Sequence, residues 1–233
     1  MSLYCLLIKN ERLDVYSRVI RMWLIVVACA LIHIVSIKTG PKWLFFLTKP
    51  LPITAMIGML MLSPASHLPY TQWIIGGLSL SLMGDLILMH PKDKFLVGIK
   101  LFYLAQISYA LGFINMAAWH FTPWIPFAVF GAGLCAYFFF KPDLGKEKWS
   151  VASYIFVLMT MLWTALEYYA SGKTRSSAFA VLGSFIFTMS GVVLAFERFG
   201  STSVFSRQVV MTTYYSAQFL ITMSIFAIVI RFL

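Results

Sequence analysis

The chain has 233 residues, of which 61% are hydrophobic and only 11% are charged. Soluble domains carry roughly 25% charged residues, so the composition excludes a soluble globular class and predicts a protein whose main solvent is the bilayer. The formal net charge is +10, but the basic residues lie mostly in short loops between apolar runs. That distribution suits membrane topology and anionic headgroups, and it argues against a nucleic-acid partner.

Eight apolar runs of roughly membrane-spanning length follow one another along the chain. A transmembrane helix needs about 20 mostly apolar residues. The runs cover 21–37, 43–63, 72–90, 95–119, 122–140, 150–170, 176–197 and 208–231, and the second is interrupted by KPLP at 49–52. The pattern predicts an all-α, polytopic membrane protein, with residues 21–233 forming a single domain of eight transmembrane helices.

Residues 1–20 alternate charged and apolar side chains, which predicts a short helix lying in the membrane interface. The other connections are too short to hold a soluble domain, so any site must lie inside the bundle or at its mouth. A multi-pass position in a bacterial inner membrane is favoured, and the spans are also compatible with the endoplasmic reticulum. The sequence does not indicate an oligomeric state.

Polar side chains inside the predicted spans point to such a site. A charged group deep in the bilayer costs at least about 2.5–3.5 kcal/mol on insertion scales and usually faces the bundle interior. The candidates are Lys49, Asp85, Gln106, Tyr109, Ser190, Tyr214, Tyr215 and Gln218. The number of residues between each side chain and the end of its span, multiplied by the helical rise, gives its depth. Most of these residues then lie in one half of the membrane, which predicts a shared cavity. The alternative is that they only form hydrogen bonds between helices.

Asp85 is the most informative of these residues, because it lies about five residues, or roughly 8 Å, from the end of the third run. It is either ionised and paired with Lys49 or Arg198, or kept neutral by burial and able to donate a proton as a general acid. A purely structural ion pair between helices is the simpler interpretation.

Other kinds of chemistry find little support in the sequence. The four histidines are scattered without H-x-x-H or H-E-x-x-H spacing, which argues against a metal site. A G-x-S-x-G nucleophile motif is absent, and Leu82 departs from the G-x-G-D pattern of intramembrane aspartyl proteases.

Five motifs occur in the order found in a known family. They are KPLP at 49–52, GDLILM at 84–89, FLVGIKLFYLAQISY at 95–109, S-x-x-x-x-A-x-x-R-F at 190–199 and TYYSAQFLI at 213–221. Together they resemble the YhhN family, which includes the mammalian lysoplasmalogenases. The resemblance covers residues from about 45 to 222.

The resemblance implies an alkenyl ether hydrolase. Such an enzyme cleaves the vinyl ether bond of a lysoplasmalogen to a fatty aldehyde and glycerophosphoethanolamine or glycerophosphocholine. It would need no metal and no organic cofactor, and its partners would be the lysophospholipid substrate and the membrane lipid.

The candidate roles follow from vinyl ether chemistry, which needs a proton donor, a positioned water and stabilisation of a cation. Asp85 would be the donor. The substrate-binding and water-orienting residues would be Gln106, Tyr109, Ser190, Tyr214, Tyr215 and Gln218. Lys49 and Arg198 would meet the phosphate.

Gly191 departs from the family pattern, which usually has an aspartate directly after the serine corresponding to Ser190. Three explanations stay open: an engineered replacement that traps an inactive state, a natural departure that leaves a binder or weak enzyme, or a site in which Asp85 suffices with a water held by Ser190 and Tyr215. The rival class is a lipid-binding protein or proton-coupled transporter that uses Asp85 as a polar anchor.

Overall fold

The computed structural model describes residues 2–90, 94–119, 121–140, 148–199 and 203–232, with side chains for 19–41, 43–90, 94–119, 121–138, 148–194 and 203–230. Nine helices form within the described ranges. They are α1 (Ser2–Thr39), α2 (Lys42–Thr48), α3 (Leu51–Met61), α4 (Pro69–Leu88), α5 (Phe95–Met116), α6 (Trp124–Phe140), α7 (Lys148–Gly172), α8 (Arg175–Phe199) and α9 (Val204–Phe232).

The predicted all-α membrane architecture is confirmed. Among the described residues, seven segments are helical, long and apolar enough to cross a membrane: Val19–Thr39, Trp43–Met61, Pro69–Leu88, Phe95–Met116, Lys148–Gly172, Arg175–Leu194 and Val204–Ile230. The predicted span 122–140 corresponds to α6, whose 17 residues reach about 25 Å, slightly less than the hydrocarbon core.

The first helix is longer than its predicted span. It begins at Ser2, so the N-terminal segment continues directly into the first membrane span. An interfacial position for residues 1–20, and their division from a domain at 21–233, stay predictions.

The second span is broken where the sequence places KPLP. Helix α2 ends at Thr48 and α3 begins at Leu51, because Pro50 has no backbone N–H and its ring disfavours helical continuation. The break frees backbone groups that must find other partners inside a membrane. The hydroxyl of Tyr215, on α9, donates to the freed carbonyl oxygen of Lys49 at 2.9 Å. The break is therefore anchored to a neighbouring helix.

The helices close into a ring. Helices α1, α3, α4, α5, α7, α8 and α9 pack in this order, α9 returns to α1, and α9 also contacts α3 and α4 across the bundle. Helix α6 packs on α7 at the outside. Large apolar side chains such as Trp43 and Phe127 are exposed, which suits surfaces that face lipid. This arrangement leaves polar side chains of the spans facing the interior.

Helices α8 and α9 approach closely at Gly183. A Cβ atom at this position would lie 3.0 Å from the Ile221 backbone nitrogen and 3.1 Å from the Ala217 carbonyl oxygen. Only a glycine allows the two backbones to come this near without a shift. Two turns further along α8, the Ser190 hydroxyl donates to the Val210 carbonyl oxygen at 3.1 Å. The close packing thus fixes the α8 face that carries Ser190 against α9.

Candidate functional site

A cavity of about 160 Å³ lies inside the bundle, next to the break between α2 and α3. It is near the ends of α1, α4 and α8 and the start of α9, because its lining includes Ile37, Leu88, Leu194 and Arg207. This is the half of the membrane in which most of the predicted polar residues lie. The walls are mostly apolar, with a few polar and charged groups. We call this space the acidic cavity, after Asp85 in its wall.

Asp85 is almost completely buried in α4, at 1% exposure. Its Oδ1 atom lies 3.4 Å from the Nζ of Lys49, and its Oδ2 accepts a hydrogen bond of 2.8 Å from the Tyr214 hydroxyl. Each carboxylate oxygen therefore has its own partner. Of the two partners that the sequence allows for Asp85, the structure brings Lys49 into contact, while the side chain of Arg198 lies outside the described residues.

Lys49 reaches Asp85 because it sits in the break rather than in a regular helix. Its side chain is buried, at 7% exposure, and lines the acidic cavity. A buried ammonium needs a counter-charge or full hydrogen bonding, which the Asp85 carboxylate supplies. The break, the Tyr215 bond to its backbone and the ion pair to α4 together hold this cation in place.

Two helices present one face each to the cavity. On α8 the lining residues are Phe187, Ser190, Gly191 and Leu194, and on α9 they are Arg207, Val210, Met211 and Tyr214. Both sets follow the spacing i, i+3, i+4, i+7, which places side chains on one helical face. The two faces therefore form adjacent walls of the acidic cavity.

Arg207 supplies a second cation at this site. Its side chain is exposed at the start of α9 and still lines the acidic cavity, so it lies at the mouth while Lys49 lies deeper. Guanidinium and ammonium groups both bind phosphate, the former through a planar fork. A positive mouth above apolar walls suits an amphiphile with an anionic headgroup.

Four predicted site residues lie outside the lining of the acidic cavity. The Tyr109 hydroxyl donates to Gln218 Oε1 at 2.7 Å, which links α5 to α9. Gln106 is fully buried and lies beside the Tyr154 hydroxyl. Tyr215 is engaged with the backbone of Lys49. These groups form a buried polar layer behind the cavity, whereas Lys49, Asp85, Ser190, Gly191 and Tyr214 line the cavity itself.

Gly191 faces helix α7. A Cβ atom at this position would lie 3.1 Å from Leu158 Cδ1 and 3.2 Å from the Tyr154 hydroxyl oxygen. Both atoms are ends of side chains that adjust by a few tenths of an ångström. A larger residue at 191 would therefore bring its side chain directly against Tyr154.

Sequence reasoning missed Tyr154 and Arg207 as cavity residues. In the sequence, Arg207 is one of several basic residues in the loops between the predicted spans. Its position seven residues before Tyr214 nevertheless places both side chains on one face of α9. Tyr154 gives no comparable signal, since its contact with Gly191 and Gln106 depends on how α7 packs against α8 and α5.

A second buried acid, Glu167 on α7, serves a different part of the bundle. Its two carboxylate oxygens accept from the backbone N–H of Thr122 at 3.0 Å each, and Oε1 also accepts from the Trp163 indole at 2.9 Å. These bonds tie the segment before α6 to α7. Glu167 lies outside the lining of the acidic cavity.

The acidic cavity has the parts needed for proton transfer to an amphiphilic molecule. A carboxyl group lies in its wall between an ammonium group and a phenol, and hydrocarbon surfaces surround them. Such pockets, with a few convergent polar groups, are the common form of a small-molecule site. Fold and cavity together define a multi-pass helical membrane protein with an acid site buried within the spans.

The chain belongs to the YhhN family, because the profile of that family matches residues 44–225. The match begins just before the break at Lys49 and ends in α9, so it contains every residue that lines the acidic cavity except Ile37 of α1.

Several curated proteins are similar to this chain over most of its length. Lysoplasmalogenase TMEM86B of Rattus norvegicus is 32% identical over 209 residues, covering 88% of this chain and 84% of the relative. Lysoplasmalogenase TMEM86B of Homo sapiens is 34% identical over 191 residues, covering 78% and 76%. The membrane protein YhhN of Escherichia coli O157:H7 is 22% identical over 207 residues, covering 88% and 99%. No solved structure shows a significant match.

Proposed function

We propose that this protein is an alkenyl ether hydrolase. It would cleave the vinyl ether bond of lysoplasmalogen to a fatty aldehyde and glycerophosphoethanolamine or glycerophosphocholine. The observation that carries the proposal is the buried Asp85 carboxyl group, held between Lys49 and Tyr214 in the wall of the acidic cavity. Relatives at 32% and 34% identity bear the name lysoplasmalogenase.

The cavity suits the two ends of such a lipid. The phosphate would bind Arg207 at the mouth and Lys49 further in, both of which are cationic phosphate partners. The hydrocarbon chain would lie along the apolar side chains of α5 and α8. The ether oxygen, between phosphate and chain, would then lie close to the level of Asp85.

Binding of the phosphate would also prepare the acid. As Lys49 turns towards the phosphate, the Asp85 carboxyl group loses its counter-charge. A buried carboxylate without a partner takes up a proton from water at the cavity mouth, because the charged form is strongly disfavoured away from water. The hydrogen bond from Tyr214 would keep the group oriented towards the substrate.

The reaction begins with transfer of the Asp85 proton to the vinyl carbon β to the ether oxygen. The electron pair of the double bond forms the new C–H bond, which leaves an oxocarbenium ion next to the Asp85 carboxylate. Opposite charges that lie next to each other stabilise each other strongly in an apolar site. Water then adds to the cationic carbon and returns a proton to Asp85, and the hemiacetal collapses to aldehyde and alcohol.

In this cycle Asp85 gives one proton and regains one, so a single carboxyl group completes it. Ser190, in the wall beside Gly191, would orient the water through its hydroxyl oxygen, while Tyr215 holds the Lys49 backbone. A second carboxylate at position 191 would accelerate the addition of water. Gly191 would then be a natural departure that leaves a slower enzyme.

The direct test is aldehyde release by the purified protein. The full chain in lipid nanodiscs is incubated with lysoplasmalogen, and the fatty aldehyde is quantified by mass spectrometry after hydrazine capture. The matched control substrate is the saturated 1-O-alkyl lysophospholipid, which has no vinyl group to protonate. The expected result is aldehyde from the first lipid and none from the second. A lipid-binding protein or a transporter would form no aldehyde from either substrate, and that result would overturn the proposal.

A further inference from the structure

A second cavity lies on the other side of Gly191. It measures about 60 Å³ and is bounded by α5, α6, α7 and α8. Its walls are almost entirely apolar, and Ser150 is the small polar residue among them. We call it the apolar cavity. The side chains that line it and not the acidic cavity include Ile99, Ala136, Val151, Ile155, Met159 and Val192.

The two cavities meet at one place. Tyr154, Gly191 and Leu194 line both of them. The absence of a side chain at Gly191 keeps the wall between the cavities thin, and the Tyr154 side chain packs across the remaining gap. A Cβ atom at position 191 would lie 3.2 Å from the Tyr154 hydroxyl oxygen. Leu158 Cδ1 lies at 3.1 Å from the same point, so the two spaces are separated at Gly191 by the ends of two side chains.

The ends of the joined space differ in chemistry. Lys49 and Arg207 make one end positive, Asp85 lies between, and the far end offers hydrocarbon contacts. The geometry points to a binding site for the terminal part of the hydrocarbon chain of a single-chain phospholipid, which leaves the acidic cavity past Tyr154 and enters the apolar cavity. This inference rests on the proposed function, since it takes the phosphate to be bound by Lys49 and Arg207.

The path of the chain runs sideways through the bundle. The apolar cavity is lined by residues near the beginning of α5 and α7 and near the end of α6, which is the same half of the bundle as the acidic cavity. The lipid would therefore bend at Gly191 rather than extend towards the midplane. Behind the acidic cavity lies the polar layer of Gln106, Tyr109 and Gln218. A hydrocarbon chain packed against this layer would deprive its polar groups of contact with water, which is energetically unfavourable.

Photo-crosslinking tests this site without requiring turnover. The probes are two 1-O-alkyl lysophosphatidylcholines, one with a diazirine at the chain end and one with a diazirine next to the ether. The full chain is labelled in lipid nanodiscs, with and without excess unlabelled 1-O-hexadecyl lysophosphatidylcholine, and the peptides are mapped by mass spectrometry. The chain-end probe is expected to label peptides carrying Val151, Ile155 and Val192. The ether-proximal probe is expected to label those carrying Phe45 and Met211, and competitor should suppress both signals.

Blocking variants complete the experiment. Val192→Phe on α8 and Val151→Phe on α7 should each lower chain-end labelling by about tenfold or more, because a rigid ring would fill the space that the chain needs. The matched control is Val97→Phe on α5, where the original side chain is 48% exposed and lines neither cavity. This variant should label as the wild type does.

The outcomes separate the two proposals. The chain-site proposal would be overturned if the chain-end probe labelled α1 and α9. It would also be overturned if neither the competitor nor the blocking variants changed the labelling. Aldehyde release together with such labelling would leave the proposed hydrolase intact without this site. Specific labelling of the apolar cavity without any aldehyde would keep the chain site as a lipid-binding site and remove the hydrolase.

Discussion

Replacing Lys49 by methionine removes the cation that faces Asp85 and keeps a side chain of similar length. At a separation of 3.4 Å, two unit charges attract each other by about 5 kcal/mol at an effective dielectric constant of 20. Breaking a buried ion pair from one side costs about 3–5 kcal/mol. The Tyr214 hydrogen bond to Asp85 remains in the variant, so we expect Lys49→Met to lower the free energy of unfolding by about 3 kcal/mol.

A second substitution, at Asp85, replaces the buried carboxyl group that Lys49→Met leaves without a counter-charge. Asparagine at position 85 needs no counter-charge, so the double variant Lys49→Met with Asp85→Asn should regain more than half of the lost stability. Unfolding is followed by intrinsic tryptophan fluorescence during titration of detergent micelles with sodium dodecyl sulfate. The matched control is Lys38→Met, where the lysine is exposed at the end of α1 and the change should stay within about 0.5 kcal/mol. Equal effects of Lys49→Met and Lys38→Met would refute the buried ion pair.

Three further comparisons test the site and its surroundings in the bundle. Tyr214→Phe removes the hydroxyl that binds Asp85 and should slow aldehyde release by about tenfold to a hundredfold. Tyr215→Phe should mainly lower the unfolding temperature. Equal losses of rate in the two variants would contradict this assignment. Glu167→Gln weakens the bonds to the segment before α6 and should cost about 1–3 kcal/mol of stability while leaving lipid binding unchanged; altered lipid binding would contradict its separation from the cavity. Gly191→Asp should release aldehyde at least about a hundredfold faster than the matched variant Gly191→Ala, and equal rates would argue against a role for a second acid.

The membrane architecture could be predicted because the bilayer imposes a simple length rule. Seven of the eight predicted runs coincide with helices of spanning length within the described residues, and the eighth is the shorter apolar helix α6. The break in the second span was also visible, since KPLP cannot continue a helix. Boundaries moved by a few residues because helices such as α7 and α8 extend beyond the apolar runs into the short connection after Gly172.

The contents of the site were predictable to a smaller degree. Asp85 and Lys49 stand out in sequence because charges in a span are costly, and the structure places them in contact. Gln106, Tyr109 and Gln218 carry the same polar signal, although the structure places them in the layer behind the acidic cavity.

The remaining features depend on how helices meet in space. The contact between Gly191 and Tyr154 joins α8 to α7, and no spacing along either helix reveals it. The apolar cavity consists of ordinary apolar residues from four helices, which are indistinguishable in sequence from those that face lipid.

The central claim is that Asp85 donates the proton that opens the vinyl ether. Its most direct test is aldehyde release from lysoplasmalogen by Asp85→Asn, compared with the wild type at equal amounts of folded protein. Folding is established by a single size-exclusion peak and by binding of 1-O-hexadecyl lysophosphatidylcholine. An amide holds the same shape but donates no proton of comparable acidity, so the rate should fall by about a hundredfold to ten-thousandfold. Wild-type release of aldehyde by the folded variant would contradict the account.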